Sequence, residues 1–133
     1  MNLDLVIVDD STLWLSISKK LAEQNPLVRS VTTFEDTLDA WVYIQTHKPN
    51  AILTDVEMPG FDGLSFLCMF ATRMPIIASS TKQGFTVHTR ELGGTGFLSK
   101  PFAKKQFDLM IFRVHKALYP REYILKKEVA IAV

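Results

Sequence analysis

Dense aliphatic runs alternate along this chain with longer stretches in which apolar positions recur every three or four residues. That rhythm predicts strands alternating with amphipathic helices. Leu3 to Val8 is apolar but for Asp4 and predicts a central strand that ends on Asp9-Asp10. Ser11 or Thr12 suits the cap of a first helix, with Leu13, Trp14, Ile17 and Leu21 on its inner face and Asn25-Pro26 as its stop. Val28 to Phe34, rich in Val and Thr, predicts the second strand. Glu35 and Asp36 suit the first turn of a second helix that turns Ala40, Trp41 and Ile44 inward and ends before Pro49. Ala51 to Thr54 reads as a short buried strand delivering Asp55 to its C-terminal end. Met58-Pro59-Gly60 then ends regular structure, because proline lacks a donor and glycine permits a turn.

Asp62-Gly63 suits the start of a short third helix carrying Leu64, Phe66, Leu67 and Phe70. Ile76 to Ser79 predicts the fourth strand, with Ser80 to Gly84 as its exit loop. A weaker fourth helix runs from about Phe85 to Leu92, stopped by Gly93-Gly94. Gly96 to Ser99 predicts the fifth strand, left through Lys100-Pro101, and Phe102 to Leu118 the last helix, ended by Tyr119-Pro120. Five strands alternating with five helices predict an α/β fold whose parallel sheet is covered on both faces. The expected domain is 1–118, followed by a tail, 119–133, whose apolar residues fit neither period.

Composition narrows this only a little. A chain of 133 residues, 47% hydrophobic, is large enough for a core without metal or disulfide staples. A net charge of +1 gives no field that favours nucleic acid or a membrane surface. No stretch approaches the ~20 apolar residues that span a bilayer, and Met1-Asn2-Leu3-Asp4 lacks the basic start of a signal peptide. One cysteine, Cys68, excludes an internal disulfide and suits a reducing cytoplasm.

The strand ends carry the chemistry. In the doubly wound order 2-1-3-4-5, ligands bind beyond the carboxyl ends of the strands, at the switch point between strands one and three. Asp9-Asp10 end the first strand and Asp55 the third, so three carboxylates meet there, with Ser80 and Lys100 leaving the same edge. Three carboxylates in one crevice repel unless a cation sits among them. Mg²⁺ suits such a site because it takes one or two carboxylates, keeps waters and accepts phosphate oxygens. A carboxylate is also a competent nucleophile toward phosphorus. Lys100 offers a mobile charge for a phosphate oxygen and Ser80 a hydroxyl donor.

Val8-Asp9-Asp10-Ser11, Asp55-Val56-Glu57-Met58-Pro59, Asp62-Gly63-Leu64, Ser79-Ser80 and Lys100-Pro101-Phe102 together resemble the receiver domain of two-component response regulators. The resemblance runs from about Leu3 to Leu118, and its wording is most similar to receivers of the chemotaxis methylesterase type. It implies that Asp55 accepts a phosphoryl group from a histidine kinase or phosphotransfer protein. It implies Mg²⁺, with Mn²⁺ as a substitute, held by Asp10, Asp55 and the Glu57 backbone carbonyl, with Asp9 acting through water. Ser80 becomes the switch hydroxyl, Lys100 its cationic partner and Phe97 the aromatic switch. The Lys100-Pro101 bond is expected to be cis. Glu57 and Lys82 fall at the two rim positions where the family adjusts phosphoryl lifetime, and as an opposite-charge pair they suit a bridge over the phosphate. Two departures stand out: Phe97 lacks the hydroxyl of a tyrosine, and the third helix is about a turn short.

Other residues are read more plainly. His47, His88 and His115 show no ligand spacing and are expected at the surface; Cys68, Trp14 and Trp41 are expected to pack. The last helix has an inner stripe of Phe107, Ile111, Val114 and Leu118, which leaves Leu109, Met110 and Phe112 on an outward face. Apolar residues there suggest a homodimer or downstream-partner surface, the helix 4–strand 5–helix 5 face in this family. The competing functions are a pseudo-receiver that binds partners without phosphate, and a hydrolase with an aspartyl-phosphate intermediate. The first would lack an acid or the lysine; the second needs a cap insert and supporting motifs that do not occur here.

Overall fold

The computed structural model describes residues 2–58, 63–82 and 84–124. Strands β1 (Leu3–Val8), β2 (Val28–Phe34), β3 (Ala51–Asp55), β4 (Ile76–Ser80) and β5 (Gly96–Ser99) alternate with α1 (Thr12–Glu23), α2 (Thr37–Thr46), α3 (Gly63–Phe70), α4 (Phe85–Glu91) and α5 (Lys104–Leu118). A sixth, short helix, α6, spans 120–124, inside what the sequence leaves as an unassigned tail. All strand pairs are parallel and the order is β2-β1-β3-β4-β5. The crossovers reverse direction between β1 and β3, which opens the crevice of a doubly wound sheet there.

The period-two alternation of the strands divides the core in two. Leu3, Leu5 and Ile7 point to one side and pack with Leu15, Ala22, Phe107, Ile111 and Val114 of α1 and α5. Val6 and Val8 point to the other and meet Ala40, Ile44, Phe66, Leu67 and Phe70 of α2 and α3. β3 is buried at every position, as befits the strand between both layers. Phe66, Phe70 and Phe107 are completely enclosed; truncating one to alanine costs about 3–5 kcal/mol.

On the first two helices Ala40 and Ile44 are buried and Trp14 and Leu21 pack on the core as expected, while Leu13 and Trp41 turn outward. α1 seats on the sheet through Leu15, Ser18 and Ala22, and α2 through Thr37, Ala40 and Ile44. Small residues allow close approach, so the largest apolar side chains need not mark the contact face. Leu13 is 66% exposed, and Trp41 faces outward at 36%. Cys68 is exposed on α3 rather than packed.

Phe102 lies before α5 and fills the core from extended chain; the helix begins at Lys104, where the Gln106 carboxamide accepts the Ala103 N–H at 3.0 Å. His115 is buried, not superficial: α6 folds back on α5, and the Tyr123 hydroxyl lies 2.6 Å from His115 Nδ1. Asp62, expected to start the third helix, lies outside the described residues.

Candidate functional site

Strand register builds the site. Val8 pairs with Thr54, so Asp9 and Asp55 leave adjacent strands at the same level. Asp55 pairs with Ser79, and Ser80 with Ser99, which brings Ser80 and then Lys100 to the same edge. The Lys100 N–H donates to the Ser80 carbonyl at 2.8 Å, locking β5's exit to that of β4.

One carboxylate oxygen each from Asp9, Asp10 and Asp55 lies within 4.8 Å of the others. Asp9 and Asp55 are buried, whereas Asp10 is exposed and opens the cluster to solvent. Lys100 is buried with them: its ammonium donates to Asp9 Oδ2 at 2.7 Å and lies 3.5 Å from Asp55 Oδ2. Three formal negative charges therefore face one positive charge. Burial pushes the Asp55 carboxyl up to about 6; the Glu57 N–H and Lys100 pull against that rise, and Asp9 and Asp10 add to it. A hard divalent cation with oxygen ligands matches both the donor set and the uncompensated charge.

A device not foreseen in the sequence fixes three of these side chains. Asp9 Oδ1 accepts the Ser11 N–H at 2.9 Å, and Asp55 Oδ1 accepts the Glu57 N–H at 3.0 Å. Ser80 Oγ accepts the Lys82 N–H at 2.9 Å. In each case a polar side chain at a strand end binds the backbone two residues on, an Asx- or Ser-turn that holds one rotamer as the loop begins. Only the residue types signalled it. Ser80 is the last residue of β4 rather than loop, almost fully buried.

Gly63 was foreseen only as a helix start. A Cβ there would fall 1.7 Å from the Asp55 carbonyl oxygen, so only glycine lets α3 press on the backbone of the acid. Lys100-Pro101 is cis, as the resemblance implies. On the rim, Lys82 Nζ lies 3.0 Å from Glu57 Oε1. Phe97 pairs with Ala78 and is half-buried against the second core. Leu109 and Phe112 are 55% and 45% exposed, as expected of an outward face. Met110 differs: it is half-buried, because its sulfur occupies the space over Gly96, where a Cβ would meet it at 2.7 Å. Arg90 and Arg113 line a cleft of about 180 Å³ beside Phe97, between α4 and β5.

A doubly wound five-stranded parallel sheet with an acid cluster and a lysine at its switch point defines a flavodoxin-like α/β protein whose candidate site lies where such sheets bind ligands. Residues 5–112 match the response regulator receiver domain, and the chain belongs to that family of two-component signalling proteins. It is 38% identical over 107 residues to protein-glutamate methylesterase/protein-glutamine glutaminase 2 of Pseudomonas aeruginosa, covering 76% of this chain and 31% of the relative. To the protein of the same name from Nitratidesulfovibrio vulgaris it is 31% identical over 114 residues, 81% of this chain and 31% of the relative. The chain thus spans about a third of the length of these curated relatives. Among solved structures, the Vibrio cholerae chemotaxis protein CheY4 superposes with a TM-score of 0.75 at 23% identity, over 86% of this chain and 99% of that one. A Francisella response regulator receiver domain gives 0.77 at 23%, over 88% and 99%. At such identities the structures speak for the fold.

Proposed function

We propose that this receiver is a phosphoacceptor, with Asp55 taking a phosphoryl group from the phosphohistidine of a histidine kinase or phosphotransfer protein. The observation that carries this reading is the pairing of one buried ammonium with Asp9 and Asp55, beside a third carboxylate. Asp55 uses a carboxylate oxygen to form the new O–P bond as the P–N bond to the donor histidine breaks. The electron pair of that bond leaves on the imidazole. The Glu57 N–H bond to Oδ1 orients the carboxylate, leaving Oδ2 on the Lys100 side. Lys100 donates to the phosphoryl oxygens as their charge develops.

Asp10, Asp55 and the Glu57 carbonyl, with Asp9 through water, would hold Mg²⁺, or Mn²⁺ in its place, which would supply charge neutralisation. Ser80 acts as the switch hydroxyl: its proton turns to a phosphoryl oxygen, vacating space on β4 for the Phe97 ring. The face formed by α4, β5 and α5 carries the output to a second copy or a downstream protein. Leu109 and Phe112 supply its apolar contacts, and Arg90 and Arg113 favour acidic groups on the partner.

The receiver is read as residues 1–118, acting in the cytoplasm; among the described residues no helix is long and apolar enough to cross a membrane. The esterase activity in the relatives' names belongs to those proteins; the chemistry proposed here is confined to forming and hydrolysing the acyl phosphate. Incubation with acetyl phosphate and Mg²⁺, followed by intact mass, tests the reading. A phosphoryl adduct on the wild type and none on Asp55→Asn is expected. No adduct on the wild type would turn the reading to a pseudo-receiver that works without phosphate.

A further inference from the structure

Lys100 has a neighbour that the reaction scheme leaves unused. Its ammonium lies 5.6 Å from the centroid of the Trp14 indole ring, while the same nitrogen contacts Asp9 and Asp55. Trp14 lies in the first turn of α1, directly after the loop that carries Asp9 and Asp10. It is half-buried, and its ring rests on Phe102 at 4.8 Å, which in turn meets Phe107 at 6.2 Å. Phe102 and Phe107 are both buried, so the indole is backed by fixed core rather than by solvent.

We propose that Trp14 is a positioning residue for Lys100, its indole face holding the ammonium at the acid cluster by a cation–π contact. A lysine side chain is a mobile charge on a flexible four-carbon stem, and its ammonium has three N–H donors and no acceptor capacity. A fourth carboxylate would fix it, but at the cost of another donor and another negative charge. An aromatic face attracts the cation through its quadrupole and adds no formal charge. The N–H groups stay free for Asp9, Asp55 and an incoming phosphoryl oxygen. Tryptophan is the strongest aromatic partner for this purpose, and a cation within about 6 Å of the centroid is in range. Trp14 is also placed to screen the ammonium from water on the α1 side, which strengthens each of its other contacts.

The consequence for rate rests on the phosphoacceptor reading, but the contact itself does not. Trp14→Phe keeps a weaker ring and Trp14→Leu keeps apolar bulk without one. If the ring face matters, adduct formation from acetyl phosphate slows in the order wild type, Phe, Leu, with Leu about tenfold below wild type. Simple packing would make Phe and Leu alike, provided circular dichroism shows both variants folded. The contact is read separately by fluorescence. Trp14 and Trp41 are the two tryptophans, so in a Trp41→Phe background the emission belongs to Trp14. Lys100→Met is then expected to shift its maximum and intensity, with no phosphodonor present. Superimposable spectra with and without the ammonium would overturn the contact, and Leu matching Phe in rate would overturn the positioning role. Failure of the wild type to form any adduct would count against the phosphoacceptor alone, and the spectra would still decide for or against Trp14.

Discussion

Replacing Asp55 by asparagine should make the metal-free protein more stable. The carboxyl is buried at 7% exposure and is pushed from the ordinary 3.8 up to about 6, with loss of solvation as the largest cause. The folded state therefore binds this proton more tightly than the unfolded chain does. Above pH 6 the ionised group costs stability; the cost shrinks as pH falls from about 6 toward 3.8 and is gone below. At about 1.4 kcal/mol for each pH unit, the gap corresponds to about 3 kcal/mol as a ceiling. For a chain of this size that is a rise in Tm of up to about 10 °C. The shape is conserved, and the asparagine oxygen can still accept the Glu57 N–H. The assay is denaturant or thermal unfolding of both proteins in EDTA, at pH 8 and near pH 4. A gain at pH 8 that disappears near pH 4 is expected, and saturating Mg²⁺ at pH 8 should narrow it by favouring the carboxylate. An asparagine variant no more stable than the wild type at pH 8, or a gain of equal size at both pH values, would refute the reasoning.

Glu57→Ala should speed loss of phosphate from Asp55 several-fold, because the Glu57–Lys82 pair at 3.0 Å no longer shields the rim from water. Lys82→Ala should do the same; following the adduct by mass after donor removal checks both, and unchanged lifetimes would remove the pair from the mechanism. Gly63→Ala should lose both stability and phosphorylation, since a Cβ 1.7 Å from the Asp55 carbonyl oxygen forces α3 away from the acid. Unfolding midpoint and adduct yield read the two losses together. Thr89→Val should raise stability by about 1 kcal/mol, because the buried Thr89 hydroxyl has no hydrogen-bond partner among the described residues; a lowered unfolding midpoint would contradict it.

The strands and their exits were legible because alternation and punctuation are local. Asp55 is marked by the apolar run before it, and the sheet order comes with the doubly wound fold that the resemblance implies; the Pro59-Gly60 break lies outside the described residues. Helix faces were less legible. Ala40 and Ile44 are buried as their spacing predicts, but Ser18 and Thr37 seat the same faces with no apolar signal, and Leu13 and Trp41 turn outward. Burial of His115 depends on Tyr123, which belongs to a segment with no period of its own. Within the site, the residue types named the three carboxylates and the lysine that the fold brings together. The contact of Lys100 with Trp14 was hidden, since a tryptophan at helical spacing reads as core whatever its ring faces.

β3 is hydrogen-bonded on both edges, by β1 and β4, and buried along its whole length. Its amides can reach solvent only when the sheet itself parts, so hydrogen exchange at Ile52 to Thr54 should follow the global unfolding free energy. Asp55 is thus mounted on the slowest-breathing part of the molecule, while Glu57 and Lys82 stand in loops beside it. On the proposed reading, a phosphoryl group on Asp55 would be guarded by chemistry at the rim and not by fluctuations of its support. The persistence of such a group would then be open to resetting by single surface substitutions that leave the stability of the fold untouched.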